Sequence, residues 1–136
     1  MRTFALICLL AVVIAGCGSS APRDSAEEFS GEKAKVASPI EALETAARDR
    51  APEIVCSQLL TERLLAQLKE TGTNCRTAVK EAFDDADSVD LTVDQITISG
   101  DKATAKVTSG KGSDKKSDTL ELTRDGVVWK IDLLRT

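Results

Sequence analysis

The chain has few of the residues on which most catalytic sites depend. None of its 136 residues is histidine or tyrosine, one is tryptophan, and aromatic residues make up 3%. Without histidine the chain lacks the commonest general base and the usual partner of a serine or cysteine nucleophile. Carboxylates are therefore the side chains that remain for acid–base chemistry.

The chain also lacks a basic surface signature. It carries 18 basic and 22 acidic residues and a net charge of −4, a balance that repels nucleic acid. The lysine-rich stretch from Lys111 to Lys116 is diluted by glycine and serine, which is typical of a solvated hairpin loop. We expect no nucleic-acid partner.

The longest apolar run is too short to span a membrane. It covers residues 4–15 after Arg2, whereas a spanning helix needs about 20 apolar residues. This layout is typical of a secretory signal, and the run ends in Ile14-Ala15-Gly16-Cys17, which resembles a bacterial lipobox. We predict a signal peptide over residues 1–16 and a lipid with acyl chains such as palmitate on Cys17. The protein would then be anchored to the extracytoplasmic side of the cell membrane; the alternative is a plain signal peptide with a chance cysteine.

The cysteine count agrees with export. Cys8 lies in the predicted signal and Cys17 would carry lipid, so Cys56 and Cys75 remain as a pair. An even remainder in an exported chain indicates a disulfide, which would contribute about 3 kcal/mol for a loop of this length. A metal site would need further ligands, and a redox dithiol more often has closely spaced cysteines.

Residues 17–37 are mostly polar and are interpreted as a flexible tether, with Phe29 either exposed or docked. A single domain is predicted over residues 38–136. It opens with Ser38-Pro39-Ile40-Glu41, in which serine caps a helix, proline takes its first position and glutamate completes a capping box. We therefore predict a helix over residues 39–48.

The predicted disulfide limits the next helical stretch. A straight helix over residues 53–70 would place Cys56 on the order of 20 Å from its far end, whereas bonded cysteines have Cα atoms within about 7 Å. We predict a break near Leu60 and Thr61, with Thr61 capping a short helix that doubles back. A further helix is predicted over residues 74–86.

Alternating apolar residues after Ser88 predict four strands. The parity of the apolar residues changes near Asp94, which indicates a bulge, and Gly100-Asp101 and Asp125-Gly126 indicate tight turns. In the last strand Val127, Trp129, Ile131 and Leu133 would face the core. The opposite face would be polar and either solvated or a docking surface: Lys102, Thr104, Lys106, Glu121, Thr123, Lys130 and Asp132. Helices followed by a four-stranded antiparallel meander predict an α+β domain.

Three features resemble small exported lipoproteins of actinobacteria that carry a nuclear transport factor two-like domain. They are the segment 56–60 followed by Cys75, the bent first strand, and the last strand 126–131. The resemblance covers residues 39–134 and implies helices packed on a curved, cone-shaped four-stranded sheet. Pro52 departs from the family's long first helix.

The sequence does not specify a reaction. The isomerases of this fold use a tyrosine, which this chain lacks. The densest acidic cluster contains Asp84, Asp85, Asp87, Asp90 and Asp94. Asp85-Ala86-Asp87 resembles the start of a calcium loop, but with Asp85 as the first position the sixth is Asp90 rather than glycine and the twelfth is Ile96 rather than glutamate. A solvated helix-to-strand corner is therefore favoured.

Trp129 either fills the core or lines a cavity. We predict a non-catalytic binding module, without a cofactor, for an envelope protein or an apolar ligand. A carboxylate-based isomerase or hydrolase is the alternative, and a structural spacer is a third interpretation.

Overall fold

Helices pack on one face of a four-stranded antiparallel sheet, as the sequence predicts. The structure is a computed structural model that describes residues 29–86 and 89–135. The helical part comprises α1 (Glu32–Arg48), α2 (Pro52–Ile54), a π-helical turn (Val55–Leu59), α3 (Glu62–Glu70) and α4 (Cys75–Asp85). The strands are β1 (Leu91–Ser99), β2 (Lys102–Ser109), β3 (Lys116–Asp125) and β4 (Val128–Arg135), and they pair in sequence order.

The predicted start of the first helix is wrong. Helix α1 begins at Glu32 and contains Pro39 in its interior rather than in its first turn. Its buried stripe begins at Val36, which is fully buried, and continues through Ile40 to Ala47, a spacing that keeps these side chains on one helical face. The burial of this stripe holds the helix together although Pro39 removes one backbone donor.

The predicted tether is therefore too long. It includes Val36 and Ala37, yet both are 0% exposed in the core, and Phe29 packs against the same core. The folded domain includes residues before Ser38. The predicted signal peptide and Cys17 lie outside the described residues, and no helix among residues that the structure describes is long and apolar enough to cross a bilayer.

The structure contains the predicted disulfide and the predicted break. Cys56 lies in the π-helical turn and Cys75 opens α4, with their Cα atoms 6.1 Å apart. The chain becomes extended at Leu60, and the Thr61 hydroxyl accepts the backbone N–H of Leu64 at 3.2 Å, which caps α3. A straight helix is thereby avoided, and the cysteines meet.

The first strand contains the predicted bulge, which places one extra residue, Asp94, between the pairs Val93↔Val107 and Gln95↔Lys106. The last hairpin differs by one residue from the prediction. Because Asp125 pairs with Val128, the turn consists of Gly126, with φ of 64°, and Val127. Val127 therefore lies in the turn and is exposed, rather than facing the core as predicted.

Candidate functional site

An open groove lies beside Trp129, between α1, the π-helical turn and the β3–β4 hairpin. Its volume is about 310 Å³. The Trp129 side chain is 3% exposed, so it both packs in the core and contributes to the groove wall. The other apolar side chains that line the groove are Pro39, Ala42, Leu59, Val127 and Val128.

Polar contacts fix the orientation of the indole. Trp129 Nε1 donates a hydrogen bond to Glu32 Oε1 at 2.9 Å, and the Arg124 guanidinium lies 4.9 Å from the ring centroid. The same Glu32 carboxylate is 3.0 Å from Arg124 and 3.1 Å from Lys35. The hydrogen bond from Trp129, followed by that from Lys35, lowers the pKa of Glu32, so the carboxylate remains an acceptor near neutral pH.

The rim of this groove presents two exposed valines beside the polar side chains of Lys35, Ser38 and Gln58. Val127 is 89% exposed and Val128 is 50% exposed, and both line the groove beside the buried Trp129. Adjacent exposed apolar side chains next to a concave apolar surface are typical of a binding site. We call Val127 and Val128 the hairpin tip.

A second cluster surrounds Asp132, and here the prediction of a side chain on the accessible polar face of the sheet is wrong. Between the pairs Glu121↔Leu133 and Leu122↔Ile131, β4 contains one extra residue, Asp132. The residue is 4% exposed and lies beside the start of α3, where Thr61 N donates to the Ile131 carbonyl at 2.9 Å. A bulge re-aims side chains, and this one directs a carboxylate toward the helical layer.

The Asp132 carboxylate has donors on several sides. It accepts hydrogen bonds from Thr61 Oγ1 at 2.5 Å and Thr123 Oγ1 at 3.1 Å. Arg63 Nη2 lies 2.8 Å away and Lys102 Nζ lies 3.4 Å away. The hydrogen bond from Arg63 is the largest contribution that holds the pKa of Asp132 well below its usual range, with further contributions from the two threonines.

These contacts make Asp132 a structural anchor that ties α3 to β4. A carboxyl group with a lowered pKa is ionised near neutral pH and cannot act as a general acid there. The sequence contained one weak sign of the bulge, since Leu133 and Leu134 are consecutive apolar residues in an otherwise alternating strand.

The predicted acidic cluster is divided among separate ion pairs. Asp84 lies 2.6 Å from Lys80 and also pairs with Arg50. Hydrogen bonds from cationic partners lower the pKa of Asp84, with Lys80 the largest cause.

Asp90 and Asp94 of that cluster also have separate partners. Asp90 lies 3.0 Å from Arg48 and 2.9 Å from Lys111, which lowers its pKa, with Lys111 the largest cause. Asp94 accepts a hydrogen bond from Thr108 Oγ1 at 2.6 Å. Asp87 lies outside the described residues. Within the described ranges no group of three potential metal ligands converges.

The pKa of Glu44 is raised, and burial of its carboxyl group is the largest cause. It pairs with Arg48 and accepts a hydrogen bond from the Leu91 backbone. It does not line the groove beside Trp129. Glu44 therefore connects α1 to the start of the sheet, and its position does not favour the enzyme alternative.

Comparisons with known proteins bear on the fold. No family model matches the chain, and no curated protein matches it. The chain is similar to the solution structure of RPA3114, an SEC-C motif containing protein from Rhodopseudomonas palustris, with a TM-score of 0.50 and 13% identity over 84% of this chain and 81% of that chain. It is also similar to a de novo designed NTF2 fold protein, NT-9, with a TM-score of 0.49 and 14% identity over 77% of this chain and 85% of that chain. The likeness to RPA3114 shows a shared fold and nothing about function.

Proposed function

We propose that the chain is an exported lipoprotein, anchored through Cys17, whose domain is a non-catalytic binding module of the cell envelope. The Ile14 to Cys17 motif after a short apolar run supports the anchor. We further propose that the domain is of the nuclear transport factor two (NTF2)-like kind found in small exported lipoproteins of actinobacteria. A 17-residue first helix against a bent four-stranded meander supports this assignment.

The observation that carries the binding role is the groove beside Trp129. It combines a fixed, buried indole with a hairpin tip on which two valines face solvent. An apolar ligand, or an apolar side chain of a partner protein, would cover the half-exposed Val128 beside Trp129 and release water from it. A fixed indole loses little conformational freedom when it binds.

The arrangement of carboxylates supports a non-catalytic role. Asp84, Asp90 and Asp132 have lowered pKa values because cationic partners contact them. Glu44 is paired within the fold. In this arrangement, these aspartates form ion pairs that join different segments of the fold.

The binding role can be tested with a brominated fatty acid, whose bromines quench tryptophan on contact. Trp129 is the only tryptophan, so the mature protein reports binding directly. We expect saturable quenching and a higher melting temperature. Val128→Asp should raise the Kd about tenfold, because a carboxylate on the groove wall opposes burial.

Thr104→Asp is the matched control, since it adds the same charge on the exposed face of β2 and should leave the Kd unchanged. Quenching that is absent, or equal in both variants, would contradict binding in the groove. A measurable turnover that Glu44→Gln abolishes would replace the binding module with the enzyme alternative.

A further inference from the structure

The hairpin tip lies at the end of the sheet where α1 begins. Arg124 and Trp129 form a cross-strand pair two residues from the turn, and both contact Glu32 in the first turn of α1. The chain that leads back toward Cys17 therefore leaves the domain beside Val127 and Val128.

The other end of the sheet is far from this exit. Helix α1 contains 17 residues and is therefore about 25 Å long. Its last residue, Arg48, contacts Asp90, which in turn contacts Lys111 in the β2–β3 connection. The lysine-containing connection thus lies one helix length away from the exit.

The position of the anchor follows from the length of the intervening chain. Residues 18–28 separate Cys17 from Phe29, and this segment spans at most about 40 Å in any conformation. The lipid on Cys17 would limit how far the α1 start and the hairpin tip can lie from the bilayer, and the β2–β3 connection is about 25 Å further along α1 from that attachment point.

We infer that the hairpin tip rests on the phospholipid surface to which the chain is anchored, with Val127 and Val128 in the headgroup boundary. This inference rests on the proposed lipid anchor at Cys17. It adds a second, non-covalent contact between the domain and the bilayer, which fixes the orientation of the domain and turns the groove beside Trp129 toward the lipid.

The chemistry of the tip suits a lipid interface. Two adjacent valines face solvent there, and the nearby carboxylates have cationic partners. Glu32 lies 3.1 Å from Lys35, and Asp125 lies 3.1 Å from Lys130, so these acids do not present isolated negative charge to lipid phosphates. Apolar contact, rather than net charge, would drive the docking.

A weak contact is sufficient when the domain is tethered. A short linker gives an effective concentration on the order of millimolar, so two valines need not bind a bilayer tightly on their own.

The test places a tryptophan at each end of the sheet in the full lipidated protein. Val127→Trp reports the hairpin tip, and Ser113→Trp reports the exposed β2–β3 connection. Each variant is reconstituted into phosphatidylcholine and phosphatidylglycerol vesicles whose acyl chains carry bromine, and the emission of the unsubstituted protein is subtracted. Val128→Trp is a second probe of the tip.

We expect the added emission of Val127→Trp to shift to the blue and to fall about twofold, with Ser113→Trp unchanged. The effect should persist in high salt and without phosphatidylglycerol, because apolar contact drives it. If neither variant is quenched, the inference is wrong; this result is expected if a protein covers the tip instead. Greater quenching of Ser113→Trp would also overturn it, since the basic connection would then face the lipid.

The mass of the Cys17 peptide is measured on the same samples. A lipidated peptide without quenching at Val127→Trp means that the anchor is correct and the docking is wrong. An unlipidated peptide means that the proposed function itself has failed.

Discussion

Glu32 in the first turn of α1 accepts a hydrogen bond from Trp129 in the last strand at 2.9 Å. The two residues are 97 positions apart in the chain, so this bond joins the start of the described domain to its end. The wall of the groove therefore depends on residues that precede Ser38, in a stretch that the sequence alone assigns to a tether.

A fragment of residues 38–136 should be much less stable than a fragment of residues 29–136. The shorter fragment loses the fully buried Val36 and Ala37 together with Glu32. Loss of this apolar burial should lower the free energy of unfolding by about 2–5 kcal/mol. Urea denaturation of both fragments measures the difference. Equal midpoints would mean that residues 29–37 contribute nothing to the fold.

Asp132→Asn should destabilise the domain by about 1–3 kcal/mol near neutral pH, because it removes the charge that Arg63, Lys102 and two threonines satisfy. Asp125→Asn is the matched control. Asp125 is more than half exposed and contacts a single lysine, so its replacement should change stability by less than about 0.5 kcal/mol. Thermal unfolding at constant pH distinguishes the two, and equal effects would exclude an anchoring role for Asp132.

The same pair of variants tests the acid dependence of stability. The pKa of Asp132 is lower in the folded protein than in the unfolded chain, where an aspartate has a pKa of about 3.9. The unfolded chain therefore binds the proton first, and the stabilisation is present above about pH 4 and is lost as the pH falls below it. Asp132→Asn should show a shallower loss of stability on acidification than the unsubstituted protein, whereas Asp125→Asn should follow the unsubstituted protein.

The disulfide between Cys56 and Cys75 should contribute about 2–4 kcal/mol. Its removal by Cys56→Ala and Cys75→Ala together should lower the free energy of unfolding by that amount, because the unfolded chain is no longer constrained. Denaturation of the double variant gives the value. Peptide mapping without reductant provides the control, and two freely alkylated thiols in the native protein would contradict the bond.

The sequence predicts bulges only where the apolar pattern changes parity. In β1 the change from Val93 to Ile96 is visible and correctly places a bulge at Asp94. In β4 Trp129 and Ile131 keep one parity up to the bulge, so the pattern gives little sign that Asp132 is an inserted residue. The burial of Asp132 depends on Arg63 and Thr61 from another element, which no local pattern contains.

The start of α1 at Glu32 is not visible in the sequence for a related reason. A capping box is a local sequence pattern, and residues 38–41 match this pattern although they lie inside a longer helix. The decisive interactions are tertiary: Val36 packs in the core, and Glu32 meets Trp129. The disulfide could be predicted because Cys56 and Cys75 are the pair of cysteines that remains. The cap at Thr61 could be predicted because a straight helix would keep these cysteines too far apart to bond.

The most direct test of the account is the intact mass of the mature protein purified from membranes. We expect a chain that begins at Cys17 and carries a diacylglyceryl group on its thiol. Cys17→Ala should remain unprocessed or leave the membrane fraction. A protein that begins at another residue and carries no acyl mass would contradict the lipid anchor and, with it, the proposed place of the domain on the membrane.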